Sequence, residues 1–330
     1  MPWSDPPWWL PALAAFAASL LGTLWALEHA HRQGLLDHPG ARRSHQTPTA
    51  RGGGLGIAVA ALLLCAWLGW SASVFWYWAG VGLLVIACIG WWDDHRSLPA
   101  WPRLVTHVVA GAVLAFALWR QGQTVDVAIM AFVLVPVLVN VWNFMDGIDG
   151  LATSQAALCA CAASVCGSGA AQVLALSVLA ACLGFLPFNY PKARIFLGDV
   201  GSGVLGYLVA LLLAVGLPAQ PKATWLVWLL PASLMWVDAG MTLFWRILRG
   251  ERWWQPHVQH VYQRLARRVG HRRVTAVYAG WTALAIGIML VLLRLGGAGA
   301  GMGGVVFWLV SMLLWFWLHR KTGESEGFSS

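Results

Sequence analysis

The chain has 330 residues, 59% hydrophobic and only 10% charged, with 23 Trp and a formal net charge of +8. Ordinary soluble domains carry roughly 25% charged residues, and long stretches here have no polar face. A soluble domain is excluded, and an all-α, polytopic bundle of membrane-spanning helices is expected.

Apolar runs between loop signals predict eleven spans, at 9–28, 53–70, 74–92, 103–119, 125–142, 151–167, 170–187, 202–217, 224–247, 274–294 and 303–318. The first begins near Leu10 with no basic segment before it and no small-residue cleavage site after it. It reads as a retained anchor. Tight turns near Ser71 and at Gly167-Ser168-Gly169 join antiparallel neighbours, and the run from Gly296 to Gly301 is a flexible turn. The six cysteines all lie in apolar runs, with no pair at zinc spacing, so they read as small buried hydrophobes.

Basic residues orient the bundle. Eighteen of the 21 Lys and Arg fall on the odd-numbered loops and the C-terminal tail; only Arg120, Lys222 and Arg294 fall on the other side. The positive-inside bias places the odd loops and C-terminus in the cytoplasm and the N-terminus in the periplasm. That asymmetry accounts for the net charge without invoking nucleic acid. Residues 1–320 form a single transmembrane domain with cytoplasmic loops at 28–52, 92–103, 143–151, 188–202 and 247–274. Residues 321–330 are expected to be a disordered tail.

The chain has only 13 Asp and Glu, and five of them lie at three cytoplasmic helix ends. Asp93 and Asp94 end the third span, where two adjacent carboxylates repel and meet the negative end of the helix dipole, so a cation should neutralise them. In Asn140–Ala152, Asn140 and Asn143 share a helix face, while Asp146 and Asp149 alternate with glycines. Asp199 follows Gly198 and precedes a Gly-Ser-Gly that opens the eighth span, a place for phosphate beside Arg194. A lone Asp-Gly-x-Asp-Gly is more often a turn, but three acidic sites on one face of so acid-poor a chain point to chemistry. Oxygen ligands from Asp and Asn suit Mg²⁺, or Mn²⁺, and phosphoryl transfer. A sixth acid, Asp238, lies inside the ninth apolar run, where a carboxylate should face a polar cavity and have a function.

The ninth loop reads as a short amphipathic helix with an apolar stripe of Val258, Val261, Leu265 and Val269. His257, His260, Arg264 and Arg267 line the neighbouring face. An interfacial helix on anionic lipid explains the arginines as well as a functional role does. The imidazole pair is better explained as phosphate or sugar ligands, or proton carriers. In the first loop, Arg42, Arg43, His45 and Arg51 precede Gly52-Gly53-Gly54 and suit either an anion or positive-inside anchoring.

In order along residues 37 to 265, the motifs are H-P-x-x-R-R-S-H-x-x-P-T-x-R-G-G-G, D-D-x-x-x-L, N-x-x-N-F-M-D-G-I-D-G-L-A, A-R-I-F-L-G-D-V-G-S, and Pro231 to Asp238 followed by H-x-x-H. The set resembles the polyprenyl-phosphate N-acetylhexosamine-1-phosphate transferases of the glycosyltransferase family 4 type. That resemblance implies transfer of a sugar 1-phosphate from a UDP-N-acetyl sugar to undecaprenyl phosphate with Mg²⁺ in a bacterial inner membrane, releasing UMP. It implies Asp199 as principal metal ligand with Asn143 beside it. Asp93 and Asp94 would lie at the lipid-phosphate end, Asp93 as base or phosphate-positioning group, and Asp146 and Asp149 would hold the nucleotide-sugar. Arg103 stands where the family commonly has a lysine that contacts the lipid phosphate, and Arg43 likewise replaces a lysine. The H-x-x-H-x-Y-Q-R motif, in place of H-x-H-H, resembles the branch that initiates O-antigen on N-acetylfucosamine or N-acetylquinovosamine, with N-acetylglucosamine left open. A homodimer is also left open.

Two competitors are weaker. A transporter or lipid flippase would place its acids near the bilayer midplane, often in repeated halves, whereas these cluster at one face. A CDP-alcohol phosphotransferase needs a D-G-x-x-A-R motif that the chain lacks.

Overall fold

A computed structural model describes residues 9–38, 47–252, 254–255 and 257–324. The expectations placed on Arg42, Arg43 and His45, and on the end of the chain beyond 324, fall outside those residues.

The architecture is an all-α membrane bundle. Its helices in chain order are α1 (Trp9–Gln33), α2 (Leu55–Ser71), α3 (Phe75–His95), α4 (Ala100–Arg120), α5 (Val125–Phe144), α6 (Leu151–Cys166) and α7 (Gly169–Asn189). They continue as α8 (Gly198–Gly216), α9 (Trp225–Trp228), α10 (Ser233–Leu248), α11 (Val261–Val269), α12 (His271–Leu295) and α13 (Gly297–Glu324). Among the described residues, nine helical segments are long and apolar enough to cross a membrane, and α2 and α6 are shorter apolar helices. Their leucine- and tryptophan-rich outer faces, including Leu21, Leu63, Trp70 and Leu313, are exposed as expected of surfaces that meet lipid.

Helix α8 is the centre. Every residue from 200 to 214 is buried, and α8 packs against α2, α3, α5, α6 and α7. Gly201 and Gly206 let the backbones of Gly54 and Val139 approach closely, which is how helices pack when lipid gives no hydrophobic drive between them. Helix α1 lies outside against α2 and α7, while α12 and α13 close the other flank over α9 and α10.

Four elements depart from expectation. The Gly296–Gly301 run is not a flexible turn: Gly296 alone separates α12 from α13, and Gly297 to Gly301 form the first turn and more of α13. The ninth span is not one helix: 3₁₀ turns at Leu217–Ala219, Lys222–Thr224 and Leu230–Ala232 separate α8, α9 and α10. Pro231 has no N–H to donate and clashes with the preceding turn, so an apolar run that reads as continuous breaks there. The end of α13 continues to Glu324, so residues 321–324 belong to a helix and not to a tail. Two-residue strands, β1 (Leu36–Asp37) and β2 (Thr49–Ala50), pair antiparallel, and Ala50 bridges in parallel to Ile195. This small ladder ties the first loop to the segment before α8.

Candidate active site

The C-terminal ends of α3 and α5 and the N-terminal end of α8 bring the acids together. Helix α3 extends to His95, so Asp93 and Asp94 occupy its last turn, and both are buried at 6% and 5% exposure. Asp94 accepts hydrogen bonds from Arg51 (Nη2 2.6 Å, Nε 3.1 Å) and from the backbone N–H groups of Asp199 (2.9 Å) and Val200 (3.1 Å). It therefore ends one helix and caps the next. The unfavourable dipole of α3 is offset by the positive end of α8.

That arrangement corrects the phosphate reading of Gly198. The anion at the start of α8 is Asp94 itself. Gly198 has φ +76°, and a Cβ there would stand 2.6 Å from Asp94 Oδ2, so the glycine makes room for the carboxylate. The glycines before α2 are likewise committed: Gly53 and Gly54 donate to the carbonyls of Phe196 and Leu197, both at 2.9 Å.

Asp93 accepts from Arg103 Nη1 (2.8 Å) and Leu98 N–H (2.6 Å). Asp199 lies in the first turn of α8 and is the shared acid. It accepts from Asn143 Nδ2 (2.6 Å) and Arg51 Nη2 (3.1 Å), with Arg103 Nη1 at 3.6 Å. Asn143 also donates to Ser202 Oγ at 3.2 Å. The cations expected to neutralise the acids are thus Arg51 and Arg103. The carboxylates of Asp94, Asp199 and Asp93 raise Arg51 above its ordinary value, outweighing burial, which acts first and in the opposite direction.

Asp146 lies in the turn after α5, and its carboxyl makes no hydrogen bond to a described residue. Burial, then the charges of Asp199, Asp94 and Asp149, push it well above the ordinary carboxylate range. A group of like charges with one member unpaired favours a cation. Among the described residues no cluster of three or more His, Cys, Asp or Glu is arranged as a ligand set. Mg²⁺ needs less: it takes one or two carboxylates and fills its octahedron with water and phosphate oxygens. Asp199, Asp146 and the carboxamide oxygen of Asn143 fit that requirement.

Other expected residues are placed differently. Asn140 does not join Asn143: its Nδ2 donates to the Pro136 carbonyl at 2.7 Å and lies 3.4 Å from Nδ1 of the buried His107 on α4. Arg194 is exposed, donates to the Pro187 carbonyl at 3.3 Å and stacks over Phe188, away from the acids. Asp149 is a structural tie. Its carboxylate receives Ala193 N–H at 3.3 Å and lies 3.3 Å from His271 Nδ1, and its carbonyl receives Thr275 Oγ1 at 2.8 Å. Beside it, Asn189 links Gly150 N–H to the Ile195 carbonyl.

Asp238 faces no cavity. It is fully buried and satisfied by protein donors, including the Val261 and Tyr262 N–H groups. Helix α11 is docked on the protein and does not lie free on lipid: Val261, Tyr262 and Ala266 are buried, whereas Val269 is 44% exposed. Val261 of the expected stripe is buried and Leu265 packs against the core, while Tyr262 and Ala266 widen the buried face beyond that stripe. His257 and His260 stand 4.8 Å apart by ring centroid, and His260 stacks at 6.2 Å on Phe144, the residue that ends α5. Arg264, one turn further along α11, is half-buried. Tyr262, His271, His107 and Asn189 were not singled out in the sequence. Only Tyr262, inside the H-x-x-H-x-Y run, carried a signal.

Residues 76–217 match the family described as Glycosyl transferase family 4. The chain is 30% identical to the decaprenyl-phosphate N-acetylglucosaminephosphotransferase of Mycobacterium leprae, over 82% of this chain and 78% of that protein. It is 28% identical to a Bacillus subtilis protein described as "Probable undecaprenyl-phosphate N-acetylglucosaminyl 1-phosphate transferase", over 72% of each. A phospho-N-acetylmuramoyl-pentapeptide-transferase of Limosilactobacillus fermentum is 31% identical over 50% of this chain and 58% of its own.

Proposed function

The chain belongs to the polyprenyl-phosphate N-acetylhexosamine-1-phosphate transferases of glycosyl transferase family 4, and we propose that its donor is a UDP-N-acetylhexosamine and its acceptor undecaprenyl phosphate. The products are undecaprenyl-diphosphate-sugar and UMP. We place the reaction on the cytoplasmic face of a bacterial inner membrane, as the initiating step of O-antigen or another envelope polysaccharide. The observation that carries this reading is the convergence of Asp93, Asp94, Asp146 and Asp199 with Asn143, Arg51 and Arg103 at one end of an apolar bundle.

In this reaction a phosphate oxygen of the lipid attacks the β-phosphorus of the UDP-sugar. The bond from that phosphorus to the bridging oxygen breaks, and UMP leaves with the electron pair. A phosphate monoester has a second pKa near 6, so the nucleophile is largely ionised at neutral pH and needs no strong base. Asp93 is better suited to positioning than to proton removal, because its oxygens are taken by Arg103 and Leu98 N–H. The Arg103 side chain is 30% exposed beside the acids, so its guanidinium can also meet a phosphate oxygen. Arg51 and Arg103 hold the entering phosphates close to the acids, and catalysis rests on positioning and charge neutralisation. Asp199, with Asn143 and Asp146, would hold Mg²⁺ or Mn²⁺, which supplies charge neutralisation at the phosphoryl oxygens.

The test is UMP release by purified protein given undecaprenyl phosphate, Mg²⁺ and a panel of UDP-N-acetyl sugars, with and without chelator. Chelator-sensitive release from one sugar supports the reading and identifies the donor. No release from any sugar, with the protein folded and the lipid presented, overturns it.

A further inference from the structure

Resting on the transferase reading, we infer that Asp238 is a positioning residue: a buried carboxylate that holds the His257–His260 arm over the 144–149 turn, on the donor side of the site. Asp238 has 0% exposure and touches neither the acidic centre nor solvent. Such a carboxylate is costly to bury unless every lone pair is used. Here Oδ1 receives Val261 N–H (2.9 Å), Trp315 Nε1 (3.0 Å) and Thr242 Oγ1 (3.3 Å), and Oδ2 receives Tyr262 N–H (3.0 Å) and Tyr278 Oη (2.9 Å). The donors come from α10, α11, α12 and α13, so one side chain joins four elements.

Two of those donors are consecutive backbone N–H groups at the start of α11, groups that no intrahelical carbonyl can satisfy. A third, the N–H of His260, goes to Gln263 Oε1 at 3.3 Å. The start of α11 is thereby fixed immediately after His260, whose Nδ1 lies 3.8 Å from Asp238 Oδ1. The arm then reaches the active site through a second tether, Tyr262 Oη to the Phe144 carbonyl at 2.9 Å. The contact is close: a Cβ on Gly147 would stand 2.2 Å from Tyr262 Oη. The chain between Asp238 and His260 is long enough to wander, since the described residues of 249–260 belong to no helix or strand. Without the carboxylate the start of α11 loses two of its ties, and the histidines are held to the end of α5 only by the Tyr262 tether and the stacking of His260 on Phe144. The arm lies beyond the end of α5, outside the apolar spans, whereas a polyprenyl acceptor must arrive from within the bilayer. The substrate whose binding depends on the arm is therefore the water-soluble nucleotide-sugar.

Asp238→Asn keeps the shape but turns an N–H toward one of the two helix-start N–H groups. Tyr262→Phe cuts the second tether and leaves Asp238 intact. The full chain in detergent is measured in two ways. Hydrogen exchange without substrate is expected to speed up about tenfold or more at the amides of 260–264 in Asp238→Asn, while the amides of α8 keep their protection. In steady state, both variants are expected to raise KM for the UDP-sugar about tenfold with KM for undecaprenyl phosphate unchanged. The two substitutions should combine less than additively, because they act on the same arm. If Asp238→Asn does not fold, Tyr262→Phe alone must show the KM split. Unchanged exchange at 260–264, or equal changes in both KM values, overturns the assignment. Failure of every UDP-sugar to react would overturn the transferase reading instead, and the exchange measurement would still decide whether Asp238 holds the arm.

Discussion

The carboxylate of Asp94 accepts the backbone N–H of Asp199 at 2.9 Å, so one active-site acid is held in place by another's main chain. Asp94 serves structure, as cap of α8 and partner of Arg51, and leaves the side chain of Asp199 facing the open part of the site. Two adjacent motifs in the centre therefore have separable roles.

Removing the Asp94 carboxylate should unfold the protein more easily. Asp94→Ala leaves two N–H groups at the start of α8 without an acceptor, the buried one alone costing about 1–3 kcal/mol. Arg51 also loses its shortest contact. Thermal unfolding in detergent is expected to show a lowered midpoint together with reduced turnover.

Asp199→Asn should have the opposite balance. Arg51 keeps Asp94, Arg103 keeps Asp93, and α8 keeps its cap, so the unfolding midpoint should stay close to that of the parent. Turnover should fall by about 10²-fold or more, the scale of losing one preorganised charge-stabilising group. Added Mg²⁺ should no longer raise it. A variant as unstable as Asp94→Ala would show that Asp199 is structural too.

The sequence exposed the acids because a membrane chain with so few of them has little reason to cluster them, and apolar run lengths exposed the spans. Other features depend on partners distant in the chain. Asp94 and Val200 are 106 residues apart, so nothing in either motif announces that the phosphate-like start of α8 is filled from within. Asn140 and Asn143 share a helix face by spacing, yet Pro136 and His107 draw one of them aside. The ninth span reads as continuous because apolarity alone does not register that Pro231 interrupts the backbone. Asp238 is visible as an intramembrane acid, but its donors lie on four elements, and only their packing turns an acid expected to face a polar cavity into a latch.

Arg103 allows a graded test. Its Nη1 lies between Asp93 and Asp199, and its side chain is partly exposed beside them. Lysine preserves the charge but not the fork. Arg103→Lys is expected to keep kcat/KM within about tenfold, whereas Arg103→Ala should lose about 10²-fold, mostly as a higher KM for the lipid phosphate. Titrating undecaprenyl phosphate at saturating UDP-sugar separates the two. Equal losses in both variants would mean that charge contributes nothing there.

His257 gives a pH dependence with a defined sign. Burial, then the proximity of His260 and Arg246, pushes its ring from an ordinary 6.5 down to about 3. As pH falls through 6.5 the unfolded chain takes up a proton on this ring, and the folded protein does not until about 3. Across that window the unfolded state binds more protons, so stability rises with pH. The contribution is fully present above 6.5 and is lost as pH falls towards 3. His257→Asn removes this titration, and its unfolding midpoint should vary less between about pH 4 and 6 than that of the parent. The neutral ring also decides what the arm offers the donor at neutral pH: a hydrogen-bonding imidazole, with positive charge left to the arginines. Turnover by the parent enzyme should accordingly show no ionisation near 6.5 that disappears in His257→Asn, and finding one would assign the ring a titrating role in the reaction.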